Sequence, residues 1–517
     1  MYLSSAPAKI ACLSIFALVA IVIWVLRFSF KDNLKTKRPP GPRPLPFIGH
    51  LLYLDIHAPW LIYQRWGKIY GALTHINIFS SSLVVVNKLQ SCQELFIKRG
   101  QVYSDRPSMK MLDLMGWTFN LAFIGYHDRR RRQYREEMRR GVGRSALNNA
   151  QHIVSQRRDQ LLLDLSQTPD AFLDHLLYYT GSVILQHTYG FTDHEGHRSF
   201  IRDIAIPAIE GLSESSFFDA QVLFAFPFLA RLPSWFPGTG FMKVATKQLS
   251  LVTELRELPL KMIENQEPEN SQSSWAMNML QESESNRASP NALSKDNIMD
   301  IAATAVTGGF HTTTSVLQTV FLALVMNPTV QDRAHEEIDH VIGRGRLPSF
   351  NDRELLPYIT AICKEAVRWH TPVPLAFHTA SETDEYQGQK ILKGTTFIAN
   401  IWAMARDQDD FEDADKFYPE RFLNDDGTLD AHNTSGDVVW GFGRRSCPGR
   451  LFAESTIWLT VASILSVYKI SKAKASDGKD VNVREEYLNR GLFSRPAPFQ
   501  CSITFRSEET ASLLMDK

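Results

Sequence analysis

The chain has 517 residues, of which 44% are hydrophobic and 22% are charged. That composition is sufficient for a large folded core. The 56 Lys and Arg residues equal the 56 Asp and Glu residues in number, so the overall charge gives no argument for a nucleic-acid partner. The 5 cysteines are scattered without a CxxC pair, which argues against a disulfide framework and a structural zinc site and favours a reducing compartment.

An uncharged apolar run at residues 10–26 predicts a membrane anchor. As a helix it covers roughly 26 Å, so it spans the ~30 Å hydrocarbon core only if Arg27 reaches the interface and the flanking aromatic residues complete the span. A cleaved signal peptide is the alternative, although the run is long for a signal segment and no A-x-A-like site ends it. More basic residues follow the run than precede it, so we expect the body of the protein on the cytoplasmic side.

Residues 39–46 contain five prolines and cannot form a helix or a central strand. They predict a stiff polyproline II strut, with a loose linker or an SH3-type ligand as the alternative. We therefore divide the chain into an N-terminal membrane anchor (residues 1–30), a basic and proline-rich linker (31–46) and one large domain (47–517).

The pattern of the large domain predicts a mainly α fold with small β-sheets. Residues 71–86 alternate apolar and polar side chains and contain many β-branched residues, which predicts a short hairpin. From Glu94 to about Trp369 most segments carry helical periodicity. Residues 265–291 are rich in helix breakers and are expected to form an exposed loop.

A long apolar segment, Lys295–Met326, predicts a central helix that ends at Asn327-Pro328. Its middle contains Gly308 and Gly309, each of which costs a helix roughly 1 kcal/mol. One interpretation is a kink or groove that opens onto a bound ligand, with Thr312 offering its hydroxyl. The alternative is close helix packing at small residues.

Glu365 and Arg368 place a carboxylate and a guanidinium one turn apart on an apolar helix. Such pairs are common on protein surfaces, so this pair alone identifies nothing. Arg421, in the segment at residues 417–422, could join it in a buried network.

The glycine-rich loop at residues 440–449 presents Cys447 just before an apolar helix. Neighbouring arginines and the helix N-terminus are expected to lower the pKa of this cysteine and favour the thiolate. The glycines allow a large planar ligand to lie against the main chain. A lone thiolate suits a haem axial ligand, whereas zinc and iron–sulfur sites need several clustered ligands.

With these motifs in this order, the chain resembles the cytochrome P-450 superfamily, the haem-thiolate monooxygenases, in its microsomal fungal form. The resemblance covers about residues 36–505, and the family pattern F-x-x-G-x-R-x-C-x-G matches at Gly443, Arg445, Cys447 and Gly449, with Trp440 in place of Phe. It implies the cytochrome P-450 fold preceded by one transmembrane helix. It also implies an endoplasmic reticulum protein whose haem-thiolate monooxygenase domain lies in the cytoplasm.

The resemblance assigns roles to individual residues. Cys447 becomes the axial ligand of the iron in haem b (iron protoporphyrin IX), and Arg445 and His378 become contacts to the haem propionates. Glu365, Arg368 and Arg421 become a buried triad on the proximal side. The remaining cofactor-binding positions of the loop are Trp440, Phe442, Gly443 and Gly449.

Thr312 matches the family threonine that helps deliver protons to bound dioxygen. The residue before it is usually Asp or Glu in the family, and here it is His311. An imidazole can relay protons near pH 7, so His311 is a second catalytic candidate. The alternative is a histidine that pairs with a neighbouring polar group and takes no part in the chemistry.

The family pattern W-R-x-x-R falls on Arg130, Arg131 and Tyr134, so only Arg131 matches and becomes a further propionate candidate. The Tyr134 hydroxyl could still donate a hydrogen bond. The dense basic run at residues 129–135 is either a solvated face or a docking surface for an acidic reductase.

The resemblance implies insertion of one oxygen atom from O2 into a C–H bond, with electrons from NADPH through a separate NADPH-cytochrome P-450 reductase. Mostly apolar substrate-facing positions indicate a lipophilic substrate that arrives from the membrane, and the resemblance alone suggests a fungal secondary metabolite. A haem-thiolate dehydratase or isomerase that does not use O2, and a non-catalytic haem or ligand-binding protein, remain alternatives. The substrate-facing positions are Met111, Leu112, Met115, Trp117, Ala303, Thr307, Phe310, Val373, Leu375, Phe377, Leu492 and Phe493.

Overall fold

The computed structural model describes residues 38–55, 57–79, 81–192, 194–215, 222–223, 226–232, 239–264, 274–290 and 292–515. The predicted anchor and residues 31–37 of the linker therefore lie outside the described residues. The described part is mainly helical with small sheets, which confirms the predicted fold class.

The helices follow one another along most of the chain. Their bounds are α1 Pro59–Tyr70, α2 Leu89–Cys92, α3 Lys110–Leu114, α4 Arg129–Val142, α5 Arg144–Gln167, α6 Phe172–Tyr189, α7 His194–Phe200, α8 Ile206–Ser215, α9 Gly240–Glu264, α10 Trp275–Ser285, α11 Lys295–Met326, α12 Pro328–Val341, α13 Pro357–Trp369, α14 Ile401–Ala405, α15 Arg450–Val467 and α16 Glu508–Met515.

The strands form one four-stranded sheet and three two-stranded ladders in the described residues. Their bounds are β1 Leu73–Ile78, β2 Ser81–Val86, β3 Leu375–Thr379, β4 Asp384–Tyr386, β5 Gln389–Ile391, β6 Thr396–Asn400, β7 Tyr468–Lys472, β8 Tyr487–Arg490, β9 Phe493–Pro496 and β10 Cys501–Phe505. The order of the larger sheet is β1-β2-β6-β3, and β1 and β2 pair antiparallel with Leu73 opposite Val86. The predicted hairpin is therefore confirmed.

Helix α11 runs through the core and is buried on nearly every face. A Ser294–Asn297 capping box starts it, and Asn327 ends it just before Pro328. This agrees with the predicted bounds, because a long helix that is apolar all round is stable only inside a large domain. Helices α11 and α15 are each long and apolar enough to cross a membrane, but most of each is buried inside the protein.

The expected loop at residues 265–291 is wrong in part, because Trp275–Ser285 forms helix α10. The Ser274 side chain caps this helix by accepting a hydrogen bond from the Met277 N–H. The Trp275 ring packs so closely on Gly141 that a Cβ there would lie 2.0 Å from it. Contact with α4 thus stabilises α10, which the polar composition of residues 265–291 did not predict.

The predicted network around Glu365 is present. Arg368 donates two hydrogen bonds to this carboxylate, from Nε at 2.6 Å and from Nη2 at 2.7 Å, and Arg421 Nε donates a third at 3.2 Å. Arg368 also donates to the backbone carbonyls of Ala405 and Ala414. Because Glu365 and Arg368 are fully buried, the network ties α13 to the irregular segment that leads to the Cys447 loop.

Candidate active site

A cavity of about 420 Å³ lies between α11 and the loop that carries Cys447. Helix α4, the segment at residues 106–123, strand β3 and the turn before β9 close its other sides. Most of its lining is apolar, and Leu112, Trp117, Val316 and Phe377 are typical of it. Such a cavity suits an organic ligand or cofactor.

The backbone of the cysteine loop is bent back on itself. The Cys447 N–H donates to the Trp440 carbonyl at 2.7 Å, and Gly443 has a φ of 48°. A Cβ on Gly443 would lie 2.7 Å from the Phe96 carbonyl oxygen, so this position requires glycine. Trp440, Cys447 and Gly449 line the cavity.

Phe442 packs behind the loop rather than on the cavity wall. Its ring lies 5.8 Å from that of Phe96 and is buried. Phe442 and Gly443 therefore support the loop from the protein side.

The expected lowering of the Cys447 pKa is wrong. The thiol is accessible from the cavity but lies far from bulk water, and this desolvation raises the pKa above its usual value. The Gly449 N–H and the Arg135 guanidinium pull the pKa down without cancelling the rise. A coordinating metal deprotonates a thiol outright, so the raised pKa is compatible with Cys447 as a metal ligand.

Five guanidinium groups stand along one edge of the cavity, those of Arg106, Arg131, Arg135, Arg444 and Arg445. No carboxylate is among the lining residues that the structure describes.

The hydrogen bonds of these arginines go mainly to backbone carbonyls. Arg445 donates to Ser104 and Ile124, each at 2.8 Å, and Arg131 Nε donates to Tyr126 at 2.8 Å. Burial, together with nearby guanidiniums such as that of Arg106, lowers the pKa of Arg445 to about 8. Asp105 is a nearby acidic group, but no carboxylate of the described residues lines this edge, so its positive charge suits a ligand that has carboxylates.

These residues fit a haem. A single cysteine is presented, and the described part of the chain has no cluster of three or more His, Cys, Asp or Glu side chains that could hold a different metal centre. Glycine backbone borders the thiol, and unneutralised guanidiniums face the edge where a porphyrin has its propionates.

The wall opposite Cys447 contains Gly308, Gly309, Thr312 and Thr313 of α11. The helix is α-helical throughout this motif. A Cβ on Gly308 would meet no atom within 4 Å, whereas one on Gly309 would lie 3.3 Å from Ile184 of α6. Gly308 thus leaves a groove on the cavity side, as the first interpretation of the motif predicted. Gly309 allows close helix packing, as the alternative predicted.

A family model for Cytochrome P450 matches residues 39–502 of the chain. The chain belongs to the cytochrome P450 family. Cytochrome P450 monooxygenase 136 of Postia placenta is 32% identical to it over 99% of this chain and 96% of that protein. Cytochrome P450 monooxygenase COX1 of Coprinopsis cinerea is 34% identical over 92% of this chain and 93% of that protein. For Cytochrome P450 monooxygenase ppsD of Aspergillus oryzae the identity is 34%, over 95% of this chain and 93% of that protein.

This protein is therefore a cytochrome P450 monooxygenase, and its family implies a haem-thiolate cofactor, O2 and an organic substrate. The finding agrees with the fit of the cavity residues to haem and with Cys447 as the cysteine presented to it.

Three arginines that line the P450 cavity, Arg106, Arg135 and Arg444, were not predicted as site residues from the sequence. Arg106 donates to the carbonyls of Ala122 and Phe377, and Arg135 donates to Ser446 O at 2.9 Å. Arg135 lies four residues after Arg131, hence on the same helical face. The four-residue spacing could therefore have predicted Arg135. Arg106 reaches the cavity from a loop, where no sequence periodicity indicates the direction of a side chain.

His378 does not line the cavity of this P450. Its ring is buried and stacked on Phe96 with 4.1 Å between ring centroids, and its Nδ1 contacts Tyr103 O at 2.8 Å. Burial and the nearby Arg106 hold its pKa well below the usual value, so the ring is neutral. Arg106, which donates to the Phe377 carbonyl of the same strand, lines the cavity where His378 does not.

Tyr134 and Arg130 also face away from the cavity. The Tyr134 hydroxyl donates to Asp300 Oδ2 at 2.6 Å and accepts from Asn297 at 2.9 Å. Arg130 pairs with Asp128, the N-cap of α4, at 2.8 Å. Tyr134 thus attaches α4 to α11, and Arg130 pairs with the residue that caps α4. Arg131 and Arg135 lie at the edge of the cavity.

His311 lies on a different side of α11 from Thr312. Its ring is buried, lies 5.6 Å from that of Phe493, and borders a small second cavity that also contains Glu210 and Arg495. It is not among the residues that line the large cavity. The His311 ring, the predicted proton relay, therefore does not face the cavity that contains Cys447, whereas the Thr312 side chain does.

Some of the predicted substrate-facing positions line the cavity and others do not. On the cavity wall are Leu112, Trp117, Thr307, Val373, Leu375, Phe377, Leu492 and Phe493. The other four pack in the surrounding core, and they are Met111, Met115, Ala303 and Phe310.

Proposed function

We propose that this monooxygenase binds haem b through Cys447 and inserts one oxygen atom from O2 into a lipophilic substrate. The observation that carries the proposal is one large apolar cavity with the Cys447 thiol on one wall and Thr312 on the opposite wall. Arg445, Arg131, Arg135 and Arg106 would hold the haem propionates through charge-assisted hydrogen bonds.

When bound, the haem iron supplies the activation of dioxygen, helped by electron donation from its thiolate ligand. The protein supplies position and protons. The Thr312 hydroxyl donates to Gly308 O at 2.8 Å, which leaves its oxygen lone pairs free to accept a hydrogen bond from a group in the cavity. The apolar lining excludes bulk water from the reacting atoms.

The central test is the carbon monoxide complex of the reduced protein. Thiolate ligation gives a red-shifted Soret band, and we expect it in the wild type and not in Cys447→Ser. A Soret band without this red shift in the wild-type complex would refute haem-thiolate ligation. Dependence of product formation on O2 and NADPH separates oxygen insertion from a dehydratase or isomerase reaction.

The substrate class rests on the cavity lining and on the relatives. Apolar walls favour a lipophilic molecule, and the compared monooxygenases are fungal. We therefore propose a fungal secondary metabolite, and a comparison of metabolites with and without the enzyme would identify it.

Electrons would come from NADPH through a separate NADPH-cytochrome P-450 reductase. The outer face of α4 supports this proposal, because Arg129, Arg132, Arg139 and Arg140 are exposed there. Arg132→Glu with Arg139→Glu should slow reduction by the reductase and leave chemical reduction by dithionite unchanged. If the reductase reduces the variant as fast as the wild type, the exposed arginines of α4 form a solvated face and not a docking surface.

Residues 1–30 would anchor the enzyme in the endoplasmic reticulum membrane, with one span and with the catalytic domain in the cytoplasm. The apolar run at 10–26 and the basic residues after it support this. Removal of residues 1–30 should shift the protein from the membrane fraction, and an unchanged distribution would contradict the proposal.

A further inference from the structure

A buried amide reaches α11 from the segment that covers the active-site cavity. Asn120 Nδ2 donates to Thr307 Oγ1 at 3.0 Å, and Asn120 Oδ1 accepts from the Ala122 N–H at 2.9 Å. Asn120 and Thr307 are buried, and both line the cavity. The amide is therefore held in one orientation on the cavity wall.

Thr304, one turn earlier on α11, differs from most other threonines of this helix. Thr307, Thr312, Thr314 and Thr319 each donate their hydroxyl hydrogen to the carbonyl four residues before them. The Thr304 hydroxyl accepts a long hydrogen bond from the Leu121 N–H at 3.4 Å and donates none within the described chain. Thr304 is also buried and lines the cavity.

The hydrogen-bonding capacity of these two side chains is only partly used. A primary amide has two N–H donors and two acceptor lone pairs, and a hydroxyl has one donor. In the described structure Asn120 uses one N–H and one lone pair, and Thr304 keeps its donor. Buried polar groups in native proteins are nearly always paired, because an unpaired one is costly.

The other polar groups of the cavity wall differ in how far the protein satisfies them, since Trp117 Nε1 and the hydroxyls of Thr371 and Thr456 have no hydrogen-bond partner among the described residues. The Thr307 hydroxyl donates to Ala303 O, and Thr180 and Thr314 bond each other at 2.6 Å. The lining also contains many apolar side chains, including those of Leu112 and Leu121. Asn120 and Thr304 thus form a polar pair on a mostly apolar wall.

We propose that Asn120 and Thr304 recognise one hydroxyl or carbonyl oxygen on an otherwise apolar substrate. The inference rests on the proposed function, because it takes the cavity as the substrate site. An oxygen there accepts from the free Asn120 N–H and from the Thr304 hydroxyl, and a hydroxyl also donates to the free Asn120 lone pair.

The position of the pair also limits the shape of the substrate. Thr304 precedes Thr312 by eight residues, which is ~12 Å along a helix. The recognised oxygen therefore lies at one end of the molecule and the carbon presented near Thr312 lies toward the other. The reaction that supplies this substrate must be one that leaves a hydroxyl or carbonyl on the skeleton.

The test compares ligands that share a skeleton and differ in one oxygen. The pairs are dodecan-1-ol with dodecane, 2-adamantanone with adamantane, and cedrol with cedrane, measured with the haem-loaded full chain by calorimetry and by the change in haem absorption on binding. We expect at least one oxygenated member to bind about tenfold more tightly than its parent, the scale of one hydrogen bond.

Variants then assign that preference to the pair. Thr304→Val and Asn120→Leu should reduce the ratio of affinities toward one without weakening hydrocarbon binding, and Thr304→Ser should restore it. Thr304→Val keeps the side-chain shape, so it provides the test even if Asn120→Leu fails to fold. Thr319→Val, whose buried hydroxyl on the same helix does not line the cavity, is the matched control.

The inference is overturned if no oxygenated member binds more tightly than its parent, or if Thr304→Val and Asn120→Leu keep the preference. The carbon monoxide spectrum of the same samples reports on the proposed function separately. A thiolate spectrum without an oxygen preference would refute only the recognition by Asn120 and Thr304.

Discussion

Thr312 and His311 are neighbours in the chain, yet their side chains border different cavities. Thr312 faces the large cavity that contains Cys447, while His311 packs near Phe493 beside the small cavity with Glu210. Successive residues of a helix are rotated by about 100°, so a one-residue step is enough to separate them. At the residue scale, direct access to the cavity therefore favours Thr312 over His311 for the proposed proton-handling role.

Thr312→Ala should consume electrons with less product than the wild type, because it removes the hydroxyl nearest the reacting atoms. His311→Ala should keep the wild-type ratio of product to NADPH. Both ratios are measured with the reductase present, and Thr312→Ser serves as the conservative control. Uncoupling by His311→Ala as large as that by Thr312→Ala would restore the relay hypothesis.

At the element scale, α11 combines stability with access to the cavity through two adjacent glycines. Gly309 lies against Ile184 of α6, and Gly308 faces open space in the cavity. The helix is stable despite both glycines because packing buries most of its length.

Gly308→Ala should raise the free energy of unfolding by roughly 1 kcal/mol, since alanine favours the helix and meets no neighbour. Gly309→Ala should gain less or lose stability, because Ile184 must move to admit the methyl group. Chemical denaturation of both variants measures the difference. Equal gains would show that α6 and α11 do not pack tightly at Gly309.

Helix α13 depends on a different kind of contact, since Glu365 is fully buried and holds two guanidiniums. Glu365→Gln leaves those charges without a carboxylate, and removal of one partner of a buried ion pair costs about 3–5 kcal/mol. We expect a matching loss in the free energy of unfolding. Glu336→Gln, at an exposed position, is the control, and an equally small effect of both changes would contradict a structural role for the network.

At the scale of the whole molecule, buried histidines couple stability to pH. Burial, together with Arg406, lowers the pKa of His370 to about 3, and burial with Arg106 lowers that of His378 well below its usual value. Below about pH 6.5 the unfolded chain protonates these histidines while the folded chain does not. Their contribution to stability is therefore complete above that pH and declines as the pH falls toward the folded pKa.

Between pH 7.5 and pH 5.5 each such histidine should cost roughly 1.4 kcal/mol of stability. His370→Phe, which keeps an aromatic ring against Tyr487, should lose about that much of the pH dependence. Urea denaturation at the two pH values measures it, with the exposed His432 changed to Phe as the control. An unchanged pH dependence in His370→Phe would mean that the ring is already protonated when folded.

Much of the molecule followed from local sequence patterns. The hairpin, the bounds of α11 and the Glu365 network depend on residue periodicity, proline and the spacing of charges, which act over a few residues. The cysteine loop could be recognised because its glycines and arginines are contiguous with Cys447. Arg106 could not, because it reaches the cavity from a separate loop.

The sequence by itself determined the helical class, the family and the cysteine presented to the cofactor, since each depends on short-range order of residues. Only the tertiary structure decided where individual side chains stand. It raised the Cys447 pKa through desolvation, directed His311 and His378 away from the cavity, and brought Asn120 and Leu121 against Thr307 and Thr304 of α11. Desolvation and contacts between distant segments exist only in the packed chain, and they determine what the site can bind.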